Sequence, residues 1–208
     1  MLQTNTVESG TLSLLKRLLA MPELNNFALV GGTALSLKLG HRTSVDLDLF
    51  SNEKIDREEI ARALELEFGE DFVYIKRHIW FAVFCTIQNV KVDIVYSPNV
   101  MVAPIETTEG IRIYSNKDIA AMKINAILGR GAKKDFWDIV ELLKEFSMDE
   151  IIQFHKLKYP SQMLLISIPN ALTYFVDADE SDDPISLNGQ TWEQIKKELR
   201  AKVREFLS

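Results

Sequence analysis

The first half of the chain carries short apolar or alternating runs that are typical of buried strands. Apolar residues from Phe27 to Val30 stop at a pair of glycines, and residues Ser44 to Phe50 alternate between polar and apolar. Alternation over this length predicts a strand with one face in a core, which places Val45, Leu47 and Leu49 inside. Together with the later β-rich runs, it predicts a mixed or mostly antiparallel sheet. Those later runs are Phe72–Lys76, Trp80–Ile87, Val90–Tyr96 and Ile111–Tyr114.

Helical spacing of apolar residues surrounds these strands and dominates the chain beyond Ser115. The fold class predicted by this order is α+β, a mixed sheet with flanking helices followed by a helical C-terminal half. Residues 1–115 would form the α/β core, and residues 116–208 a helical region that completes a ligand site. Asp56 is a predicted N-cap, because an acidic first turn follows it. Helices are predicted over residues 11–21, 33–39, 56–68, 116–128, 133–146, 148–157, 162–175 and 191–207, with an acidic loop over 177–188.

Composition argues against several classes of protein. The 208 residues carry a net charge of −6, which argues against a duplex-DNA binder with its broad basic field. One cysteine excludes an internal disulfide framework, and three histidines disfavour a Cys/His zinc site. No apolar run approaches the roughly 20 residues of a membrane span, and the N-terminus lacks the features of a signal peptide, so a cytoplasmic protein is expected. The aromatic residues expected in its core are Trp80, Phe81, Phe84, Phe136 and Trp137.

Three aspartates carry the strongest chemical signal of the chain. Asp46 and Asp48 are two apart in the run S-V-D-L-D-L-F, so on one strand they share a face. Asp93 occurs in K-V-D-I-V-Y, on a later strand that can pair beside the first. Converging carboxylates need a cation between them, and Mg²⁺ or Mn²⁺ with oxygen ligands is the predicted one. Asp93 could also accept the proton of an attacking hydroxyl, and the alternative is a pair of exposed acids on an edge strand.

A glycine turn precedes the aspartates. Gly31, Gly32 and Thr33 follow the strand that ends at Val30 and open the next helix. Glycine lets the backbone approach a ligand closely, and the N–H groups of a helix start favour a phosphate. The hydroxyl of Thr33 would add a donor, and the alternative is a plain strand-to-helix turn with Thr33 as the cap. Arg42, between the turn and the aspartates, would contact phosphate or offset the carboxylate charge.

A basic stretch without any acid runs from Lys123 to Lys134 in this acidic chain. Lys123 and Arg130 are seven residues apart and share a helix face if the helix continues that far, and such a face suits triphosphate oxygens. Asp135 and Asp138 follow on the next helix, and Asp135 would cap this helix or pair with Lys134 or Arg130. The alternative is a solvated basic face followed by a helix cap.

The order of these motifs resembles that of the AbiEii/AbiGii toxin family of nucleotidyltransferase-like proteins. The resemblance spans residues 27–146 and is carried by F-A-L-V-G-G-T-A-L-S-L-K-L-G-H-R-T-S-V-D-L-D-L-F, by K-V-D-I-V and by A-M-K-I-N-A-I-L-G-R-G-A-K-K-D-F-W-D-I. It implies a nucleotidyltransferase-like sheet and the toxin of a bacterial toxin–antitoxin or abortive-infection system. The roles that it implies are phosphate contact by Gly32 and Thr33, metal binding by Asp46 and Asp48, a third acid at Asp93, nucleotide contact by Lys123, and a far wall built by Lys134, Asp135 and Asp138.

Residues and resemblance together predict metal-dependent nucleotidyl transfer. A nucleoside monophosphate would move from an NTP to a hydroxyl of RNA or protein, with release of pyrophosphate. Lys123 and Arg130 would hold the triphosphate, Asp46 and Asp48 would hold the metal, and Asp93 would assist the nucleophile. A cognate antitoxin is the expected protein partner. Two alternatives stay open: a catalytically inactive module that binds nucleotide or antitoxin, and a metal-dependent phosphohydrolase.

Overall fold

The computed structural model describes residues 1–74, 79–129 and 131–208, and it joins the strands of these residues in one mixed sheet. The strands are β1 (Ala28–Val30), β2 (Leu47–Ser51), β3 (Phe72–Tyr74), β4 (Ala82–Ile87), β5 (Val90–Tyr96), β6 (Glu106–Thr108) and β7 (Ile111–Ile113). Their order across the sheet is β3-β4-β5-β2-β1-β7-β6. β2 runs parallel to β5 and β1 parallel to β7, whereas the other neighbours are antiparallel. The predicted mixed sheet is confirmed.

Helices flank the sheet and form most of the chain after β7, so the predicted α+β class is confirmed as well. The cap predicted at Asp56 is present, since its side chain accepts from the backbone N–H of Glu59. Within the described ranges, no helix combines the length and the apolar character that crossing a bilayer requires. The division into residues 1–115 and 116–208 stays a prediction. The helices are α1 (Ser9–Ala20), α2 (Gly31–Leu39), α3 (Arg57–Phe68), α4 (Asn116–Gly129), α5 (Lys133–Leu142), α6 (Met148–Lys158), α7 (Ile168–Ala171), α8 (Val176–Asp179) and α9 (Trp192–Leu207).

The centre of the sheet sets the register of the acidic strands. β1 is buried along its whole length, and β2 buries Leu47 and Leu49 on the face opposite Asp48. In the parallel pairing of β2 with β5, Asp48 lies directly across from Asp93. Side chains at paired positions point to the same face of a sheet. The two carboxylates therefore stand next to each other on one face.

β2 begins at Leu47, three residues later than the alternation predicts. The carbonyl of Asp46 accepts from the hydroxyl of Thr33 on α2, and the backbone N–H of Ser44 donates to the N-terminal segment. These bonds draw the segment away from the neighbouring strands before the sheet pairing starts. Val45 is 60% exposed, so its predicted place in the core is wrong, whereas the two leucines of β2 are fully buried.

The helix predicted over residues 162–175 is also wrong. Only the single turn of α7 forms there, with Ser167 as its N-cap and Pro169 in its first turn. Proline lacks an N–H and clashes with the preceding turn, so a helix starts at such a residue more readily than it runs through it. The apolar residues before this turn, residues 163–166, stay exposed instead of packing as a helix face.

Two of the aromatic residues predicted in the core are on the surface. Trp80 is 70% exposed and Phe81 is 39% exposed, because the strand starts at Ala82 and both rings precede it. Phe84 is partly buried, and Phe136 and Trp137 are buried as predicted. Sequence patterns also gave no sign of β6, whose residues are Glu106, Thr107 and Thr108. The predicted strand end at Ile75 and Lys76 lies outside the described residues.

A buried aspartate fastens the helical half to the loop that follows β5. Asp118 on α4 is fully buried and accepts hydrogen bonds from the backbone N–H groups of Val102 (2.9 Å) and Ala103 (3.0 Å). It also accepts from the Ser115 hydroxyl at 2.7 Å and from the ammonium of Lys158 at 2.8 Å. Because all four donors converge on one carboxylate, the buried charge is compensated.

Replacing this carboxylate should strongly destabilise the fold. Asp118→Ala removes the acceptor of two backbone N–H groups and leaves the buried Lys158 ammonium with one described acceptor, the carbonyl of Val100 at 3.2 Å, so it should lower the free energy of unfolding by about 3 kcal/mol. Urea denaturation measures the loss. The control is Asp182→Ala in the exposed acidic loop, which should change stability by less than about 0.5 kcal/mol. Equal effects of the two variants would contradict the assignment.

Candidate active site

A cavity of about 300 Å³ gathers most of the residues that sequence patterns singled out. Its wall combines the glycine turn at the start of α2, the acidic strand β2, one face of α4 and the start of α5. Three further predicted residues adjoin the wall without being part of it in the described structure: Asp93, Thr33 and Asp138. Arg130 lies outside the described residues. The predicted site residues that line the cavity are Gly31, Gly32, Arg42, Asp46, Asp48, Lys123, Lys134 and Asp135.

The carboxylates of this wall repel one another. Burial raises the pKa of Asp48 above its ordinary value, and the neighbouring charge of Asp93 raises it further. Asp93 is bonded through Oδ2 to the ammonium of Lys91 at 2.8 Å, while its buried Oδ1 has no hydrogen-bond partner in the described part of the chain. Asp46 lies 3.7 Å from the ammonium of Lys134. The acids therefore have partial compensation from two surface lysines.

Lys91 carries the charge opposite to that of the acidic cluster, and its pKa is shifted by the same neighbours. Burial alone would lower the pKa of Lys91, but its hydrogen bond to Asp93 and the charges of Asp93 and Asp48 raise it above its ordinary value. Across residues 1–74, 79–129 and 131–208, no three acidic, histidine or cysteine side chains lie close enough together to form a ready-made metal cage. The adjacent acids are thus the pair Asp48 and Asp93 on neighbouring strands, which is fewer than a three-ligand metal cage needs.

The glycine turn approaches the acids and a buried arginine closely enough to exclude any side chain. Gly31 has φ +73°, and a Cβ added there would lie 2.7 Å from Oδ2 of Asp48. A Cβ on Gly32 would overlap the guanidinium of Arg42. Thr33 is buried, and its hydroxyl donates to the carbonyl of Asp46 and lies 2.8 Å from the hydroxyl of Ser44. The helix start therefore presents its backbone N–H groups at the cavity, with the threonine hydroxyl turned inward.

Beneath the turn lies a buried charge network centred on Asp138. The guanidinium of Arg42 forms a bidentate pair with this carboxylate, with Nε at 2.7 Å from Oδ1 and Nη2 at 2.9 Å from Oδ2. His41 Nε2 lies 2.7 Å from the same Oδ1. The ammonium of Lys123 lies 2.6 Å from Asp138 Oδ2 and 2.8 Å from Asp135 Oδ1. Burial alone would raise the pKa of Asp138, but Arg42 and Lys123 hold it well below its ordinary value.

This network determines where the charges of two predicted phosphate contacts, Arg42 and Lys123, are directed. Arg42 and Lys123 line the cavity, yet their charges are directed at two buried aspartates, which balance them one for one. Lys134 is different, because its side chain is 43% exposed and its nearest acid, Asp46, is 3.7 Å away. Among the described cations of the wall, Lys134 is thus the one whose charge is most available to an anionic ligand.

Several residues of the site carried no usable signal in the sequence. Phe50, Met122, Asn125 and Tyr159 line the cavity, but none of them has a charge or a motif spacing that marks it. Lys91 could have been found, because it precedes Asp93 by two residues on a strand and so shares its face. His41, the neighbour of Arg42, is buried against Asp138 and does not line the described wall.

The fold is shared with solved bacterial structures. JHP933 from Helicobacter pylori matches with a TM-score of 0.56 at 20% identity, covering 96% of this chain and 92% of that one. MenT4, a nucleotidyltransferase toxin from Mycobacterium tuberculosis, matches with a TM-score of 0.57 at 15% identity, covering 87% of this chain and 76% of that one. Such identities establish a common fold. This chain has that fold and, within it, a glycine turn packed against strand aspartates.

The family to which the chain belongs is shown by a match over nearly its whole sequence. Residues 13–206 match the family described as "Nucleotidyl transferase AbiEii toxin, Type IV TA system". The chain belongs to this AbiEii nucleotidyltransferase toxin family, which confirms the resemblance drawn from residues 27–146. An uncharacterised protein of Aquifex aeolicus is 31% identical over 200 residues, which are 93% of this chain and 94% of the relative. The match therefore includes the C-terminal helices.

A methyl group on the first glycine of the turn should destroy the cavity wall. Gly31→Ala forces a residue with a Cβ into the left-handed region and against Asp48, so NTP affinity should fall at least about tenfold. Isothermal titration with each NTP measures it. The matched control is Gly10→Ala, where a Cβ meets nothing within 4 Å, and stability there should rise by about 0.5–1 kcal/mol. Wild-type NTP affinity in Gly31→Ala would refute the geometry.

The repulsion at Asp48 should be visible as a pH-dependent cost to stability. Its pKa is raised in the folded state, so the folded protein binds the proton more tightly, and stability falls as pH rises from the unfolded value of 3.8 through the folded one. Asp48→Asn removes the charge and should raise Tm at pH 7, with the gain vanishing below pH 4. Mg²⁺ should raise the Tm of the wild type more than that of the variant.

The matched control for this experiment is Asp182→Asn, which removes an acid from the exposed loop. It should leave the Tm at pH 7 and its response to Mg²⁺ unchanged. A wild-type protein as stable at pH 7 as Asp48→Asn would show that the cluster carries no such cost.

Proposed function

We propose that this chain is a nucleotidyltransferase that depends on Mg²⁺ or Mn²⁺ and moves a nucleoside monophosphate from an NTP to a hydroxyl of RNA or protein. The observation that carries the proposal is the parallel register that sets Asp48 beside Asp93, with Asp46 two residues earlier and the glycine turn in contact. Paired carboxylates next to a helix start suit a metal-bound triphosphate.

The donor set of this cluster fits a divalent cation. Asp46 and Asp48 supply carboxylate oxygens, and burial together with the charge of Asp93 raises the pKa of Asp48, which is the response expected of adjacent acids. Asp93 stands beside Asp48, and its buried Oδ1 has no hydrogen-bond partner among the described residues. Mg²⁺ is commonly held by one or two carboxylates, several waters and substrate phosphates, so a complete protein cage is not required. When bound, the ion would neutralise charge that develops on the phosphate oxygens.

The triphosphate is assigned to the helix start and to the exposed lysine. Backbone N–H groups at the start of α2 are free of side-chain caps, and the positive end of the helix dipole favours an anion there. Lys134 adds a charge that the buried aspartates do not neutralise. Arg42 and Lys123 also line the cavity, but both are bonded to Asp138. These bonds hold the loop after α2 together with α4 and α5.

In the proposed transfer step, each bond that forms or breaks and the proton that is released are accounted for by the two substrates and Asp93. The acceptor hydroxyl oxygen attacks the α-phosphorus and forms the new P–O bond, while the bond to the bridging oxygen of the β-phosphate breaks and pyrophosphate leaves with its electron pair. The hydroxyl proton passes to the carboxylate of Asp93, which stands beside Asp48 in the register of the two parallel strands. Asp46 and Asp48 stay ionised as ligands.

The biological role proposed is that of the toxin in a toxin–antitoxin or abortive-infection system. Membership of a family described in those terms supports it, as does the fold shared with the nucleotidyltransferase toxin MenT4. A cognate antitoxin is the proposed partner. The net charge of −6 disfavours a large electrostatic footprint on nucleic acid, so an RNA acceptor would be engaged over a short segment.

A transfer assay tests the activity directly. The purified chain is incubated with Mg²⁺ and each of the four α-labelled NTPs, against total RNA and against total protein. Label should enter one of the two pools, EDTA should prevent it, and Asp48→Ala should reduce the rate at least about a hundredfold while the far-UV spectrum stays that of a folded protein. Asp182→Ala is the matched control and should transfer at the wild-type rate.

Two outcomes would overturn this assignment. Full transfer by Asp48→Ala would remove the proposed metal ligand from the chemistry. Release of free nucleotide or phosphate with no labelled adduct in either pool would instead indicate a metal-dependent phosphohydrolase that uses the same carboxylates.

A further inference from the structure

One part of the cavity wall differs in chemistry from the charged part. Phe50 follows Asp48 by two residues on β2, Met122 and Ala126 lie on one face of α4, and Tyr159 follows α6. These side chains are largely apolar and two of them are aromatic, which suits a nucleobase rather than a phosphate. On the proposed function, this is where the base of the NTP lies.

Asn125 supplies a polar group within this apolar wall. It lies three residues after Met122, so both point to the same side of α4 and line the cavity. Its carboxamide oxygen Oδ1 accepts a hydrogen bond from Nε2 of Gln162 at 2.9 Å. An asparagine side chain has one oxygen acceptor and one NH₂ group with two donors. With the oxygen engaged by Gln162, the NH₂ group remains for the cavity.

The backbone holds Gln162 beside the wall. Its N–H donates to the carbonyl of Tyr159 at 3.1 Å, and the side chain of Tyr159 lines the cavity. The ring of Tyr159 packs in turn against the buried ring of His155, with 5.2 Å between the two centroids. The bond from Gln162 to Asn125 therefore has a fixed place next to the apolar part of the wall.

We infer that Asn125 selects the base of the NTP by donating a hydrogen bond to a carbonyl oxygen, and that Gln162 sets this choice from outside the cavity as a positioning residue. The Asn125–Gln162 bond is exposed to solvent and Asn125 lines the cavity, so this side chain would meet the base edge farthest from the sugar. The favoured bases carry a carbonyl at position 6 of a purine or position 4 of a pyrimidine, as guanine and uracil do. Adenine and cytosine present an amino group there, which cannot accept.

Two pairs of nucleotides that differ at this edge test the inference. The affinities of ITP against ATP and of UTP against CTP are measured by isothermal titration with Mg²⁺ present. In the wild type, ITP and UTP should bind about fivefold more tightly than their partners, which is the ratio that one net hydrogen bond provides.

The decisive variant is Gln162→Glu, which is nearly isosteric and lies outside the cavity wall. A carboxylate only accepts, so the NH₂ group of Asn125 should turn toward residue 162 and its oxygen toward the base. The preference within each pair should then reverse toward ATP and CTP. The added negative charge weakens all four nucleotides alike, so the ratio within a pair is the readout. Gln153→Glu, an exposed position on α6, makes the same charge change and should keep the wild-type ratios.

The outcomes separate this inference from the proposed function on which it rests. If no NTP binds to the folded wild-type chain, the cavity is not a nucleotide site and both fail. If NTPs bind with equal affinity within each pair, or if Gln162→Glu keeps the wild-type preference, the nucleotide site stands and the assignment to Asn125 and Gln162 is overturned.

Discussion

Asp138 is a fully buried carboxylate on α5, and its charge is compensated by side chains from two separate segments of the chain. Arg42 and His41 reach it from the loop after α2, and Lys123 reaches it from α4. Breaking a buried pair by removing one partner costs about 3–5 kcal/mol, because the remaining charge is left uncompensated. The loop, α4 and α5 therefore hold a single arrangement. The glycine turn depends on that arrangement, since Gly32 packs against the guanidinium that Asp138 fixes.

Much of the sheet could be predicted from the sequence because burial on one face leaves a period of two. The strand around Asp93 was predicted with its observed limits, and the pairing of the two acidic strands followed from their patterns. The pattern failed where backbone bonds outside the sheet took over, as at Val45, and where a proline divided a long apolar stretch, as at Pro169. In these places the tertiary partner decides the conformation, and no local pattern contains that partner.

The candidate site was predictable as a set of residues but not as a set of contacts. Charge and spacing singled out Arg42 and Lys123 together with the acids that surround them. They did not show that two of those acids, Asp135 and Asp138, would be the partners of the two cations. A run without acids in the sequence indicates a basic surface, yet a cation on a helix face is neutralised if the next helix packs an aspartate against it. Apart from the two glycines of the turn, the uncharged residues of the wall carried no signal in the sequence, because an asparagine or a methionine in a helix is compatible with many surroundings.

The bond between Arg42 and Asp138 joins residues that are 96 positions apart in the chain. Non-local contacts of this kind form late, after the loop between the partners has been closed. During synthesis, the glycine turn and all three acidic positions emerge from the ribosome well before α5 does. A nascent chain therefore exposes its acidic strands without the buried support that shapes the cavity. Assembly of the site must wait until α5 has been made, so chains whose synthesis stops before that point lack the finished cavity.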